Sequence, residues 1–237
     1  RVAQQLAPRF DVLALDQRGH GDSTQPPSGT AAEDFAADVE ALAVARNLPR
    51  IVLVGHSLGA RTAMVHAAKH PGRVSHMILV GGPHYSTIVP GADVEHWTNQ
   101  SNTMRQRSRK IASAEEAAAS LRASYPRFTE ADVQHALKYN TRPVAGGGLE
   151  WKFEPGWVAD GLTHALDDLR GYAAEIRCPI LILRAKGSWE LTPERMPTVV
   201  GVFPNAQVKV VDVDASANLE VEAPDEVATA IRNWLAQ

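Results

Sequence analysis

Three features predict an α/β fold: a doubly wound, mostly parallel sheet with a block of helices inserted into it. Strand-like and helix-like segments alternate along residues 1–82 and again along 177–237. That alternation lays strands parallel, with helices on the faces of the sheet. The runs Ile51-Val52-Leu53-Val54 and Met77-Ile78-Leu79-Val80 are apolar without interruption, as strands buried on both faces must be. From residue 83 to 176 strand signals fade and helix starts dominate. The expected layout is therefore a core of residues 1–82 and 177–237, with a helical segment at 83–176.

The elements follow from local chemistry. Arg1 to Pro8 reads as the end of an amphipathic helix with Val2 and Leu6 inward, and Phe10–Asp16 as a buried strand. Thr30 with Glu33 fits a capping box opening a helix to about Asn47, with Phe35, Val39, Leu42 and Val44 facing the core. After the strand at 51–54 comes a tight turn, and then a helix Arg61–His70 that Pro71-Gly72 stops. In the inserted block, Ser113 caps a helix with Glu116 at its third position, and Thr129 opens another through Tyr139. Gly146-Gly147-Gly148 is a turn, Glu150–Glu154 an extended piece, and Asp160–Glu175 a further helix. Arg177–Leu183 resumes the sheet. Thr192-Pro193-Glu194 reads as an N-cap with proline in the first turn, Gln207–Val213 as the last strand, and Pro224–Leu235 as a closing amphipathic helix.

Composition narrows the function. At 237 residues and 44% hydrophobic content, the chain is one domain or one domain with an inserted subdomain. A net charge of −3 without a basic cluster argues against nucleic acid or an anionic membrane surface as partner. Cys178 is the single cysteine, so no internal disulfide can form, which fits a reducing compartment. There is no signal peptide and no apolar run near the roughly 20 residues that span a bilayer. The expectation is a cytoplasmic protein acting on a small molecule, with oligomeric state open.

The chemistry concentrates at Gly55-His56-Ser57-Leu58-Gly59. A serine at so tight a strand-to-helix turn has its hydroxyl pushed clear of the strand, and the flanking glycines give the room. The Leu58 N–H points to the same spot from a helix N-terminus, where developing negative charge is favoured. The segment Gly55-His56-Ser57-Leu58-Gly59-Ala60 resembles the nucleophile elbow of the α/β-hydrolase fold. Leu13-Ala14-Leu15-Asp16-Gln17-Arg18-Gly19-His20-Gly21-Asp22-Ser23 is similar to the strand and Arg-Gly-His-Gly-X-Ser turn that this family places before its elbow. The resemblance implies a hydrolase of an ester, lactone or related carbonyl substrate, with Ser57 as nucleophile and Leu58 N–H as half of the oxyanion hole. It implies no cofactor and no metal, and it makes 83–176 a helical cap. It also implies N-terminal strands that this sequence does not contain. One of them would lie between 10–16 and 50–55, and the loop after it would supply the second oxyanion donor; the sequence reads as part of a longer protein.

The rest of the family's machinery is altered. The order that the resemblance implies is nucleophile, acid, histidine. The loop Asp212-Val213-Asp214-Ala215-Ser216-Ala217-Asn218-Leu219-Glu220-Val221-Glu222-Ala223-Pro224 is similar to the family's ending, except that Ala217 stands where histidine is expected. The acid positions hold Gly81 and Ser188; Glu190 is the nearest carboxylate, with Asp214 and Glu154 as further candidates. Ala217 fits a deliberate substitution that stops turnover, or a natural pseudo-enzyme. Either way weak or absent turnover is expected. The rivals are a ligand-binding pseudo-hydrolase and a cofactor-free lyase or oxygenase on the same fold. Haloalkane dehalogenation is disfavoured because Ser57 stands where that reaction uses aspartate.

Other residues are assigned around this centre. His84, Trp189 and His56 are candidates for substrate contact, and His20 is structural. Trp97, Trp151, Trp157 and Trp189 either wall an apolar pocket or pack the cap. His66 and His70 share a helix face with no acidic partner near in sequence, so a solvated pair is expected rather than a metal site.

Overall fold

Strands β1 (Ile51–His56) and β2 (Val74–Val80) pair in parallel, with Val52 opposite His76 and His56 opposite Val80. The computed structural model, which describes residues 1–237, continues this sheet through β2 to β6 (Ile180–Ala185) and then β7 (Val208–Val213). All pairings are parallel, in the order β1-β2-β6-β7. Alternation along β2 and β6 divides the core into two layers. Met77, Leu79, Ile180 and Ile182 pack with Ala36 of α2 (Ala32–Ala45), Met64 of α3 (Leu58–Lys69), Ala173 of α8 (Arg170–Glu175) and Val199 of α9 (Met196–Gly201). Ile78, Val80, Leu181 and Leu183 face the other way, against Leu6 of α1 (Val2–Leu6), Leu219 of α10 (Leu219–Glu222), and Val227 and Ile231 of α11 (Pro224–Leu235). The central strands β2 and β6 are thus covered on both faces, as their apolar runs require, while β1 and β7 are only partly covered.

These elements belong to one of two compact units, formed by residues 1–14, 31–94 and 164–237. The second unit comprises residues 15–30 and 95–163. It holds most of α4 (Val94–Arg105), then β3 (Lys110–Ile111), α5 (Ala114–Ser124), α6 (Glu130–Asn140), β4 (Thr141–Pro143), β5 (Leu149–Trp151) and α7 (Pro155–Thr163). Its three short strands form an antiparallel sheet, β3-β5-β4. Ile111, Leu121, Val133, Leu137 and Trp151 make a core of its own. Ser113 Oγ caps α5 by accepting from Glu116 N–H, and Thr129 and Asp132 form a reciprocal capping box on α6.

Several local expectations are corrected. Phe10–Asp16 forms no strand, and Leu13 and Leu15 are exposed. An extended segment becomes a strand only where a neighbour completes its ladder, and β1 pairs with β2 alone. Val52 and Val54, which project from the same face of β1, are exposed. Helix α2 starts at Ala32 rather than at Thr30; Ala31 N–H donates to Asp34 Oδ2, and Val44 faces solvent at 57% exposure. Asp160–Glu175 is not one helix: α7 ends at Thr163, a 3₁₀ turn covers His164–Leu166, and Asp168 accepts from Arg170 N–H to start α8. Thr192 opens a turn instead of capping a helix, because its carbonyl accepts from Arg195 and Met196 N–H and α9 begins only at Met196.

His66 is also not solvated. Glu40 of α2 reaches across to α3, where its Oε2 lies 3.0 Å from His66 Nε2 and 3.9 Å from His70 Nδ1. Arg73 donates to the same carboxylate, Nη2 to Oε1 at 2.7 Å. The acidic partner is missed because it comes from a different helix. With the Arg73 guanidinium already on the carboxylate, the cluster is a polar clasp between α2 and α3. No helix is long and apolar enough to cross a membrane.

Candidate active site

The site is built on the turn from β1 to α3. Ser57 adopts φ 53°, ψ −116°, a conformation that a side chain normally avoids. The turn closes because Ser57 C=O accepts from Ala60 N–H (2.9 Å) and Arg61 N–H (3.3 Å). It also depends on Gly55: a Cβ there would run into the Gly59 carbonyl, so strand and helix pack this closely only with hydrogen at 55. Leu58, the first residue of α3, follows directly.

Two loops bring side chains toward Ser57. After β2 the chain turns through Gly81 and Gly82, both at positive φ (75° and 73°), and delivers His84. Ser57 Oγ lies 3.4 Å from His84 Nε2. The other ring nitrogen, Nδ1, lies 3.2 Å from Glu190 Oε2, in the loop after β6. Glu190 Oε1 accepts from Tyr85 N–H at 2.7 Å. His84 and Glu190 are almost enclosed, with side-chain exposures of 10% and 12%. A carboxylate can only accept, so Nδ1 carries the proton and the Nε2 lone pair faces the serine.

More distant contacts hold this line in place. Thr87 N–H and Thr87 Oγ1 both donate to the His84 carbonyl. Ser188, in an acid position of the resemblance, instead accepts from Leu191 N–H and closes the loop carrying Glu190. Arg195 donates to the Glu190 carbonyl, chelates Asp93 and lies over the Tyr85 ring at 4.2 Å. Burial lowers the His84 pKa from its ordinary value; the bond and charge of Glu190 pull upward, while Arg61 and His56 add to the lowering. Arg61 is itself buried, and burial lowers its pKa to about 10, with Asp167 and Glu190 opposing.

The loop carrying Ala217 runs past the neighbouring residue. His56 Nε2 is 3.1 Å from the Ala217 carbonyl, and Nδ1 is 3.3 Å from Glu220 Oε1. Glu222 organises that loop, accepting from Ser216 N–H and Oγ–H and from Asn218 N–H. The methyl group of Ala217 offers no proton acceptor. Of the other candidates, Glu154 pairs with Arg109 inside the second unit, and Asp214 offers its N–H to Glu226. Trp189 is half exposed on the Glu190 loop. Trp97, Trp151 and Trp157 are buried, and Trp151 stacks on Phe153 at 5.8 Å within the second unit's core. His20 accepts from or donates to nothing catalytic: its Nδ1 meets the Arg18 carbonyl and its ring stands edge-on to Trp157.

Sequence reading treats His84 as a pocket-lining residue and misses its wiring. The signal is present in the chain, a histidine directly after Gly81-Gly82-Pro83 at the carboxyl edge of the sheet, where open α/β folds gather functional groups.

Comparison with known proteins agrees with this architecture. The chain is 27% identical over 230 residues to 2-(acetamidomethylene)succinate hydrolase of Mesorhizobium japonicum, covering 97% of this chain and 80% of that protein. It is 26% identical over 235 residues to the mouse sn-1-specific diacylglycerol lipase ABHD11, covering 95% and 71%. The crystal structure of E-2-(acetamidomethylene)succinate hydrolase superposes with a TM-score of 0.87 at 26% identity, over 99% of this chain and 84% of that one. These relatives are named as hydrolases, and a family profile described as the alpha/beta hydrolase fold matches residues 1–220. The chain belongs to the α/β-hydrolase fold family.

Proposed function

We propose that this protein is a serine hydrolase whose Ser57 hydroxyl attacks the carbonyl of an ester, lactone or related small substrate. The observation that carries the reading is the strained serine at the head of α3, with its Oγ within reach of a buried imidazole. Leu58 N–H supplies one oxyanion donor, Glu190 is the acid, and no cofactor enters the step. His56 and Trp189 remain substrate-contact candidates, and the helical segment 83–176, read as a cap, is the candidate determinant of substrate choice. Its relatives act on an amide-bearing dicarboxylate and on a diacylglycerol, as their names print. Hydrolysis of a carbonyl derivative by a serine proceeds through attack on the carbonyl carbon, so these names support the reaction class rather than a particular substrate.

Turnover is slow. Ala217 removes the imidazole that the family motif places there, Gly81 removes a carboxylate, and the Ser57–His84 contact is long for a hydrogen bond at 3.4 Å. The same two substitutions favour a second reading, a ligand-binding pseudo-hydrolase. A panel of p-nitrophenyl esters with acyl chains of increasing length, assayed on wild type and Ser57→Ala, separates the two. The hydrolase reading expects slow hydrolysis that Ser57→Ala abolishes. The pseudo-hydrolase reading expects release no different between the two proteins.

A further inference from the structure

We propose that His84, held by Glu190, is the general base for Ser57, relocated from the end of the chain to the loop after β2. The inference rests on the reading of Ser57 as nucleophile. It accounts for three departures from the family motif at once. If the imidazole comes from the β2 loop, no histidine is needed at 217. The acid position after β2 also loses its purpose and can be Gly81, whose positive φ helps the chain turn back toward the serine. The carboxylate then has to reach an imidazole in the β2 loop, so it sits two residues beyond the usual place: Ser188 closes the loop and Glu190 makes the contact. The resulting chain order is nucleophile, histidine, acid.

The pair is built as a fixed unit rather than a chance contact. Both Glu190 oxygens are engaged, one by the imidazole and one by the Tyr85 N–H directly after it in the chain, which sets the angle between ring and carboxylate. The Arg195–Asp93 pair and the Thr87 bonds to the His84 carbonyl secure the two loops on which the residues sit. Preorganisation of this kind is what a proton relay requires, because reorientation during the step would add to the barrier.

The reaction balances on these groups and solvent water. Ser57 Oγ forms a bond to the carbonyl carbon while its proton passes to His84 Nε2 and the carbonyl π pair moves onto oxygen. Collapse breaks the bond to the leaving alcohol, which takes the proton from Nε2, and an acyl-serine remains. Water then attacks the acyl carbon, gives its proton to Nε2, and the Ser57 oxygen departs and recovers that proton. The Glu190 carboxylate keeps its bond to Nδ1 and stabilises the imidazolium. Glu190, Arg61 and His56 are the charged or titratable groups acting on the ring, with burial the largest influence, so the ring stays neutral to lower pH than a solvated histidine.

The test is the pre-steady-state rate of acylation by p-nitrophenyl acetate, with labelling by a fluorophosphonate probe, in wild type, Ser57→Ala, His84→Ala and His84→Gln. The expected result is loss of both signals in Ser57→Ala and at least a 100-fold slower acylation in both His84 variants. Added imidazole should partly restore His84→Ala, which a merely structural histidine would not allow. The near-isosteric His84→Gln keeps the test valid if the alanine variant folds poorly. Ser57-dependent acylation at the wild-type rate in His84→Gln overturns the inference while leaving the nucleophile reading intact. Acylation that survives Ser57→Ala overturns that reading instead.

Discussion

Exchanging Glu190 for glutamine changes charge and hydrogen-bond polarity with almost no change of shape. The carboxylate accepts twice, from Tyr85 N–H at 2.7 Å and from the His84 ring at 3.2 Å. Glutamine has one acceptor and one donor to offer these two partners. The backbone N–H of Tyr85 cannot reverse, so the amide oxygen must face it and the amide NH₂ must face His84 Nδ1. The opposite orientation would set N–H against N–H in a nearly enclosed site, at a cost of about 1–3 kcal/mol, which keeps most molecules in the first. Nδ1 then accepts, the ring proton moves to Nε2, and Nε2 presents N–H to Ser57 in place of a lone pair. Acylation is expected to fall by about 10²–10⁴-fold through this wrong tautomer, while the unfolding midpoint shifts by only a few degrees because every hydrogen bond is still met. Stopped-flow acylation beside a thermal melt measures both. Undiminished acylation in a folded Glu190→Gln protein would exclude a proton relay through His84, since this ring would then present no acceptor to Ser57.

Ile182→Ala should destabilise by about 3 kcal/mol, because this fully buried β6 residue leaves a cavity under the helical layer; a melt should record a drop of about 6–12 °C. Stability should decline on acidification. The bond from Arg73 lowers the Glu40 pKa, and burial lowers that of His66. The unfolded chain therefore binds protons that the native state does not. The contribution of His66 is present above its unfolded value near 6.5 and is lost as pH falls below it, and that of Glu40 is lost at still lower pH. Urea titrations of wild type and Arg73→Met from pH 7 to 4 should show a shallower loss in the variant; parallel curves would exclude the linkage. Cys178, with its thiol pushed up to about 11 by burial, should react with a disulfide reagent at pH 8 about 100-fold more slowly than an ordinary thiol.

Much of the sheet is legible in the sequence because fully buried parallel strands read as unbroken apolar runs. β1, β2 and β6 lie where such runs fall, whereas β7 is an edge strand interrupted by Lys209 and Asp212; α11 occupies the segment expected of it. The strand expected at Phe10–Asp16 fails for a non-local reason. Its residues have strand character, but no neighbour supplies the ladder. The break between α7 and α8 is missed because Ala165 and Leu169 keep a helical apolar spacing across the 3₁₀ turn, and both are buried. At the site, the Ser57 turn is visible because glycine and strand context are local signals. The contact of Ser57 with His84 and Glu190 is not visible, since it joins three strand ends from distant parts of the chain. The same holds for Glu40 and His66, which meet across two helices.

Catalysis at this site depends on the Ser57 hydroxyl acting as a nucleophile. Intact mass spectrometry after exposure to a fluorophosphonate, followed by peptide mapping, addresses it directly. A single adduct is expected on the peptide containing Ser57, absent from Ser57→Ala. An unmodified protein, or an adduct on any other residue, would contradict it.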